Sequence, residues 1–239
     1  MSLKDKRIVI IGGTSGLGFA VADAAAREGA SIVIASANAE RVARAVGLLP
    51  KGTDGKALDV TDEVQVKRFF ADIGAFDHLV YTAGDPLMLG GFAEADLGDA
   101  RRAFEVRFWG AMTAAKYGAP HIRTGGSIVL TTGIAGQRPS KGWVVPSSIL
   151  GAMEAMTRAL AVELAPIRVN IVSPGVVKTE MWNQLPEEAR TALYRDVGAK
   201  LLVGRVGEAS EVAETYLYLM RQNYSTGQAV VVDGGGVLV

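Results

Sequence analysis

The sequence predicts an α/β fold: a doubly wound (Rossmann) seven-stranded parallel sheet with helices on both faces. Two observations carry this prediction, namely seven short runs rich in Val and Ile, and helical patterns between most of them. Strands that are apolar on both faces need cover on both sides. Right-handed crossovers supply that cover and bring ligands to the carboxyl ends of the strands.

The first elements alternate regularly along the chain. Strand RIVIIGG precedes helix LGFAVADAAAREG, which ends at a glycine, and strand SIVIAS precedes helix AERVARAVGLL. Strand GKALDV, helix EVQVKRFFADIG and strand FDHLVYTAG follow. Strands GGSIVLTTG, IRVNIVSPG and QAVVVDGGG complete the seven. Neither a repeat nor a linker interrupts this order, so residues 1–239 are predicted to form one domain.

Composition excludes several classes of protein. Lys plus Arg equals Asp plus Glu, at 25 each, so no net charge draws the chain to nucleic acid or to an anionic membrane. The chain has no cysteine and no apolar run near the ~20 residues of a membrane span, which favours a cytoplasmic protein. Its two histidines, His78 and His121, are too few and too scattered to predict a metal site.

The segment IGGTSGLG follows the first strand and opens the first helix. Its Gly12, Gly16 and Gly18 have the G-x-x-x-G-x-G spacing. Glycine permits a tight turn and a close approach of the backbone to a pyrophosphate, and a helix N-terminus offers free N–H groups to an anion. Because the pattern lies between a strand and a helix, it predicts a phosphate loop more strongly than a plain turn.

Five landmarks occur in order along the chain: GGTSGLG, LDVTD at 58–62, YTAG at 81–84, PGVVKT at 174–179 and VDGG at 232–235. With these landmarks, residues 5–236 resemble the short-chain dehydrogenase/reductase family. The resemblance implies a nicotinamide dinucleotide cofactor. It also implies a homodimer or homotetramer, formed through the family's fourth and fifth helices and its C-terminal segment.

The resemblance implies cofactor-binding roles for four sets of residues. The pyrophosphate and its ribose would contact Gly12, Thr14, Ser15, Gly16, Leu17 and Gly18. The adenine would contact Asp59 and Val60. The ribose side would be lined by Thr82, Ala83 and Gly84, where the family usually has an Asn-Asn-Ala-Gly run. The nicotinamide half would contact Pro174, Gly175, Val177 and Thr179.

The end of the second strand bears on the choice between NAD and NADP. Relatives that prefer NAD place an Asp there, on the ribose 2′-hydroxyl, and this chain has Ser36. No carboxylate therefore repels a 2′-phosphate. Asn38, Ser15 and Arg41 are the candidates to reach such a phosphate, although Arg41 is equally compatible with a solvated helix charge. NADP(H) is the predicted cofactor, with NAD(H) the less favoured alternative.

The family's usual catalytic tetrad of Asn, Ser, Tyr and Lys has no match here. The resemblance places Arg107, Gly133, Pro146 and Leu150 at those four positions. A shifted pair is excluded as well, because no Tyr occurs between residues 118 and 193 and no Lys between residues 142 and 177. The helix itself is expected to start near Pro146, capped by Ser147 or Ser148.

Two functions follow from this pattern. The first is an NADP(H)-dependent oxidoreductase that transfers hydride to activated carbonyls or quinones without a Tyr/Lys relay. Its candidate catalytic residues are Arg107, Thr132 and Ser147, and its substrate is a small apolar or conjugated carbonyl compound. The alternative is a catalytically inactive NADP(H)-binding sensor, regulatory or structural protein. A loop beginning at Met181 is predicted to cover the substrate.

Overall fold

The computed structural model describes residues 2–239, and its central feature is a parallel sheet of seven strands in the order β3-β2-β1-β4-β5-β6-β9. This order confirms the predicted doubly wound fold. The order reverses direction between β1 and β4, so the crevice for a ligand opens at their carboxyl ends. The seven strands are β1 (Arg7–Ile11), β2 (Ser31–Ser36), β3 (Asp54–Ala57), β4 (Phe76–Tyr81), β5 (Ile122–Thr131), β6 (Arg168–Pro174) and β9 (Ala229–Val232).

Helices cover both faces of this sheet. Helices α1 and α8 bury their apolar sides in a core on one face, and α3, α5 and α6 do so on the other. Burial of these stripes is the main favourable term in folding. The helices are α1 (Gly16–Arg27), α2 (Ala39–Leu48), α3 (Glu63–Ile73), α4 (Leu97–Phe104), α5 (Gly110–Gly118), α6 (Val144–Glu163), α7 (Glu187–Gly198) and α8 (Ala209–Arg221).

A small second sheet holds the segment that precedes α7. Strand β7 (Val177–Lys178) pairs in parallel with β8 (Gly207–Glu208), and a short 3-10 turn, Glu180–Gln184, follows β7. This sheet anchors both ends of the region that was predicted to cover a substrate.

Helix α6 starts differently from the sequence-based expectation. It begins at Val144, and its cap residue, Trp143, makes no side-chain capping bond. The Ser148 hydroxyl donates to the carbonyl of Val144 at 2.8 Å, one turn back. The prediction that Ser147 or Ser148 caps the helix is therefore wrong. The helix starts two residues before Pro146, without a capping side chain.

Helices α4 and α5 are joined by a π turn, Glu105–Trp109. The Gly110 N–H donates to the carbonyl of Glu105, five residues back instead of four. Such widened turns interrupt an α-helix by one extra residue and are frequent at functional sites. This one carries Arg107.

At the amino end of the sheet, polar side chains pair with one another. The Asp77 carboxylate accepts from the Lys6 ammonium at 3.0 Å, the Arg7 N–H at 2.9 Å and the Arg123 guanidinium at 2.8 Å. His78 is buried and its Nδ1 lies 2.9 Å from the Ser127 hydroxyl. Burial lowers the pKa of His78 to about 4. These side chains therefore have a structural role.

None of the helices in residues 2–239 combines the length and the apolar character that crossing a bilayer requires.

Candidate functional site

The phosphate loop between β1 and α1 packs tightly against the end of β4. Gly12 has φ +90°, and a Cβ there would lie 2.5 Å from the Ala83 nitrogen. A Cβ on Gly18 would lie 2.3 Å from the Gly12 carbonyl oxygen. Distances this short exclude any side chain. In this structure, Gly12 and Gly18 are therefore required for the folding of the loop itself.

The start of α1 fits an anion. Ser15 has extended backbone geometry and makes no side-chain capping bond, and the first turn of the helix contains no acidic residue. The first N–H groups of the helix, from Gly16 onward, consequently have no capping side chain. Thr179 approaches from β7, with its Cβ 3.3 Å from where a Gly16 Cβ would be. Thr14 and Leu17 flank this opening on the loop and the first turn.

Thr82 ties the end of β4 to the phosphate loop. Its hydroxyl lies 3.2 Å from the carbonyl oxygens of both Ile11 and Gly12. The next residues, Ala83 and Gly84, continue along the same edge. The structure thus brings Gly12, Gly16, Gly18, Thr82, Ala83 and Thr179 together, as the resemblance implies.

The residues predicted to contact the adenosine lie at the ends of β2 and β3. Asn38 caps α2, because its side chain accepts from the Arg41 N–H at 2.8 Å. Within residues 2–239, the Arg41 guanidinium has no hydrogen bond or ion pair and is exposed. The Asp59 carboxylate closes a turn by accepting from Thr61. Ser36 ends β2 and is half-buried. Asn38 thus has a structural role, whereas Arg41 is free to bind a ligand.

The predicted nicotinamide contacts lie after β6. A Cβ on Gly175 would lie 2.8 Å from the Asp233 Cα, so this glycine is required for chain packing. Pro174 ends β6, and Val177 is buried in β7. Val60, predicted to meet the adenine, is also buried and packs against Gly110. The side chains of Val177 and Val60 therefore face the protein interior, and only their backbones can contact a ligand.

Arg107 lies at the carboxyl end of β4. Its guanidinium donates to the Asp85 carbonyl at 2.6 Å and lies 4.0 Å from the Met181 sulfur. A Cβ on Gly84 would be 2.5 Å from the Arg107 Cζ, so the guanidinium rests directly on the glycine backbone. Burial lowers the pKa of Arg107 and the nearby Asp85 opposes this effect, but a guanidinium stays protonated. A partly buried cation thus lies at this edge.

A narrow cavity is lined by Arg107, Pro146 and Leu150, which are three of the four positions where the family carries its catalytic tetrad. Leu150 also meets Gly133: its Cδ1 is 3.4 Å from where a Gly133 Cβ would be. Apart from Arg107, the side chains of these positions are apolar or absent. The cavity is lined by Asp85, Pro86, Leu87, Met88, Ala103, Arg107, Pro146, Ile149 and Leu150.

The two hydroxyl candidates have different surroundings. Thr132 is buried and donates to the Leu150 carbonyl at 2.8 Å, which ties the end of β5 to α6. This contact gives its hydroxyl a structural role, and the geometry does not support the prediction that Thr132 is catalytic. The Ser147 Oγ is also buried, yet it has no hydrogen-bond partner within residues 2–239. Ser147 remains a candidate on this observation.

Sequence reasoning missed Tyr81. It is 1% exposed and its hydroxyl donates to the Val106 carbonyl on the π turn. Burial raises the pKa of Tyr81, so this tyrosine does not substitute for the family's proton donor. Its only signal in the sequence was the departure of YTAG from the family pattern.

The segment after β7 was predicted to cover the substrate, and only part of it lies over the site. Met181 contacts Arg107, which agrees with the predicted cover. Trp182 turns inward instead: it is 5% exposed and its indole N–H donates to the Val177 carbonyl at 3.0 Å. The Trp182 indole therefore fills the space beneath its own turn and does not face the site.

The strand order and the uncapped first helix define a doubly wound α/β protein of the dinucleotide-binding class. A family model described as "Enoyl-(Acyl carrier protein) reductase" matches residues 12–236. The chain belongs to the short-chain dehydrogenase/reductase family, whose members bind a nicotinamide cofactor.

Three relatives illustrate this membership. Short-chain dehydrogenase/reductase ATR9 of Stachybotrys chlorohalonatus is 37% identical over 253 residues, covering 99% of this chain and 99% of that protein. A small-chain dehydrogenase solved in complex with NADPH is 37% identical, with a TM-score of 0.84 and coverage of 99% and 100%. The MalC Reductase/Diels-Alderase of Malbranchea aurantiaca is 29% identical, with a TM-score of 0.92 and coverage of 99% and 98%.

Proposed function

We propose that this chain is an NADPH-dependent reductase of activated carbonyls or quinones that works without a Tyr/Lys proton relay. The observation that carries the proposal is the Arg107 guanidinium, which lies beside a cavity lined by Pro146 and Leu150. In this proposal residues 1–239 act as one domain. Arg107 is the residue that touches the reacting oxygen, with Ser147 as a second polar group.

NADP(H) is the proposed cofactor, held by the residues that the family resemblance implies. When bound, it supplies the hydride. The free N–H groups of α1 would bind its pyrophosphate, and the exposed Arg41 would bind its 2′-phosphate. A relative solved in complex with NADPH supports this choice, as does the absence of a carboxylate at Ser36.

Arg107 suits acceptors whose reduced oxygen is already stabilised. It donates hydrogen bonds to negative charge and does not release a proton at neutral pH. General acid catalysis is worth about 10²–10⁴-fold, whereas holding two reactants together can contribute about 7–11 kcal/mol. Quinones and conjugated dicarbonyls form delocalised oxyanions that water can protonate. Simple ketones do not, and they should be poor substrates.

The second candidate is an NADP(H)-binding protein without turnover. The contact between Leu150 and Gly133 favours it, because an apolar side chain and a glycine meet where the family usually carries the polar Lys and Ser of its tetrad. In this reading the protein acts as a sensor, a regulator or a structural partner.

A homodimer or homotetramer is the proposed assembly. Trp109, at the end of the π turn that joins α4 to α5, is 50% exposed. Leu238 in the C-terminal segment is 77% exposed. These apolar groups lie on elements through which the family assembles, and light scattering on the purified chain would give the mass of the assembly.

Replacing Arg107 separates the two candidate functions. With a panel of quinones and diketones, Arg107→Ala should lower kcat about 100-fold, because it removes the donor to the developing oxyanion. Arg107→Lys should recover part of this loss. Arg101→Ala is the matched control, because Arg101 is an exposed guanidinium on α4. NADPH affinity, followed by fluorescence titration, should stay the same in all three variants.

Two outcomes would count against the reductase. Tight NADPH binding by the unmodified chain with no oxidation of NADPH by any acceptor would favour the second candidate. Turnover that is unchanged in Arg107→Ala would remove Arg107 from the mechanism.

A further inference from the structure

We propose that Tyr81 is the positioning residue for Arg107: its hydroxyl holds the Val106 carbonyl and so fixes the π turn that presents the guanidinium. The inference rests on the proposed role of Arg107. Tyr81 would touch neither the cofactor nor the substrate, because it is buried within the protein.

The hydrogen bonds of the π turn explain why a hydroxyl is needed. In an α-helix the Gly110 N–H would donate to Val106, four residues back. Here it donates to Glu105 instead. The Val106 carbonyl thereby loses its α-helical donor, and the Tyr81 hydroxyl donates to it. A buried carbonyl requires such a partner, so the hydroxyl stabilises the widened turn relative to a regular helix.

Because Gly110 has no side chain, it leaves space for the Tyr81 hydroxyl. A Cβ at this position would lie 2.4 Å from the Tyr81 Oη and 2.8 Å from the Val60 Cγ2. Both Tyr81 and Val60 pack against the helix at Gly110, where it has no side chain. The strand end of β4 and the segment after β3 therefore hold the turn against the sheet.

Arg107 is fixed by the same strand end. It follows Val106 directly, and its guanidinium rests on Gly84 and donates to the carbonyl of Asp85. If the turn relaxed to α geometry, side chains on one side of it would rotate by about 100° relative to the other, because a helix has 3.6 residues per turn. Such a rotation would move the guanidinium away from Gly84 and out of the cavity.

The backbone of Tyr81 is itself immobilised. The Thr131 hydroxyl donates to the Tyr81 carbonyl at 2.7 Å and lies 2.8 Å from the Tyr216 hydroxyl on α8. The tyrosine thus connects the rigid sheet to the turn, and its phenol is a fixed reference for the position of Arg107.

The test is Tyr81→Phe, which keeps the ring and removes the hydroxyl. With a quinone acceptor, kcat should fall about tenfold, since displacements of about 1 Å can cost up to 100-fold. KM for NADPH should stay within twofold. Tyr117→Phe is the matched control: it removes a hydroxyl from α5 that bonds to Glu63, and turnover should not change.

A double-mutant cycle distinguishes positioning from a general loss of structure. In an Arg107→Ala background, Tyr81→Phe should change kcat less than twofold, because no guanidinium remains to be positioned. An equal loss of kcat in both backgrounds, or an unchanged kcat in Tyr81→Phe alone, would overturn the proposal.

A readout without turnover keeps the inference separate from the proposed function. Phenylglyoxal modifies exposed guanidinium groups, and mass spectrometry can follow Arg107 alone. Tyr81→Phe should raise the modification rate of Arg107 at least threefold, with Arg101 as the internal reference. If the unmodified chain oxidises no NADPH and this rate still rises, the reductase fails and the positioning role stands. An unchanged rate would overturn the positioning role.

Discussion

The polar groups at the two ends of the sheet differ in how far they are hydrogen-bonded within the protein. At the amino end, the Asp77 carboxylate accepts from three donors and His78 pairs with Ser127. At the carboxyl end, the first helix has no side-chain cap and the Ser147 Oγ lacks a partner among the described residues. The amino end therefore pairs its polar groups within the protein, whereas the carboxyl end keeps hydrogen-bonding groups available for a ligand.

Within the carboxyl end, the cofactor side and the substrate side also differ. The cofactor side depends on glycines in contacts too close for any side chain. The substrate side, at Gly133, Pro146 and Leu150, is mostly apolar, and the polar groups near it are Arg107, Asp85 and Ser147. The proposed dinucleotide site and the proposed substrate site can therefore be altered separately by mutation.

The largest effect is expected for Gly18→Ala. The added Cβ would meet the Gly12 carbonyl oxygen at 2.3 Å and the Thr82 Oγ1 at 2.4 Å. We expect a loss of about 3 kcal/mol or more in the free energy of unfolding, and loss of NADPH binding. Urea unfolding and fluorescence titration measure the two. Gly47→Ala, at an open position on α2, should be neutral or stabilising. NADPH binding that survives in Gly18→Ala would contradict the close contact.

Asp77→Asn should destabilise the amino end of the sheet while leaving the proposed cofactor site intact. The substitution removes the charge that three donors share, and the side chain is 7% exposed. Solvent screens the half-exposed Lys6 and Arg123, so we expect a loss of about 2 kcal/mol in urea unfolding. Asp72→Asn, which breaks an exposed pair with Arg68, should cost less than about 0.5 kcal/mol. A weaker NADPH affinity in Asp77→Asn would refute the division between the two ends.

His78 makes the amino end sensitive to acid. Burial lowers its pKa from 6.5 to about 4, so the folded state favours the neutral imidazole. Stability is therefore present above pH 6.5 and is lost as the pH falls toward 4. Between pH 7 and pH 5 the loss should be about 1–2 kcal/mol. Urea midpoints at both pH values should fall less in His78→Gln; an equal fall would assign the effect to another group.

The smallest effect is expected for Ser147→Ala. Removing a buried hydroxyl without a partner should leave stability unchanged or raise it by up to about 1 kcal/mol. Ser148→Ala is the control, because that hydroxyl bonds to Val144. If Ser147→Ala lowers kcat with a quinone while stability stays constant, the free hydroxyl serves a ligand. A loss of stability would show that it has a partner in the folded protein.

Much of the fold could be predicted because it depends on local patterns. Apolar runs identified all seven strands, and the glycine spacing located the phosphate loop. Strand ends were less accurate: β3 stops at Ala57 and β5 starts at Ile122. The run of apolar residues does not show where pairing with a neighbouring strand ends.

The site was predictable only where one segment forms it. Some contacts of the site join distant segments, such as the hydrogen bonds from Tyr81 to the Val106 carbonyl and from Thr132 to the Leu150 carbonyl. Such contacts leave no periodic signal in the sequence. The π turn was also missed, because one extra residue in a helix barely alters the apolar pattern. The inward orientation of Trp182 also left no signal, since composition alone does not tell which way an indole turns.

The three tryptophans provide an optical consequence of this architecture. Trp109 ends the π turn, Trp143 precedes α6, and Trp182 lies beneath the turn that follows Thr179. All three indoles belong to segments that border the carboxyl end of the sheet. Because reduced nicotinamide absorbs the light that indole emits, energy transfer would report cofactor occupancy without any dye. Single Trp→Phe variants would then tell which of the three segments responds when a dinucleotide enters.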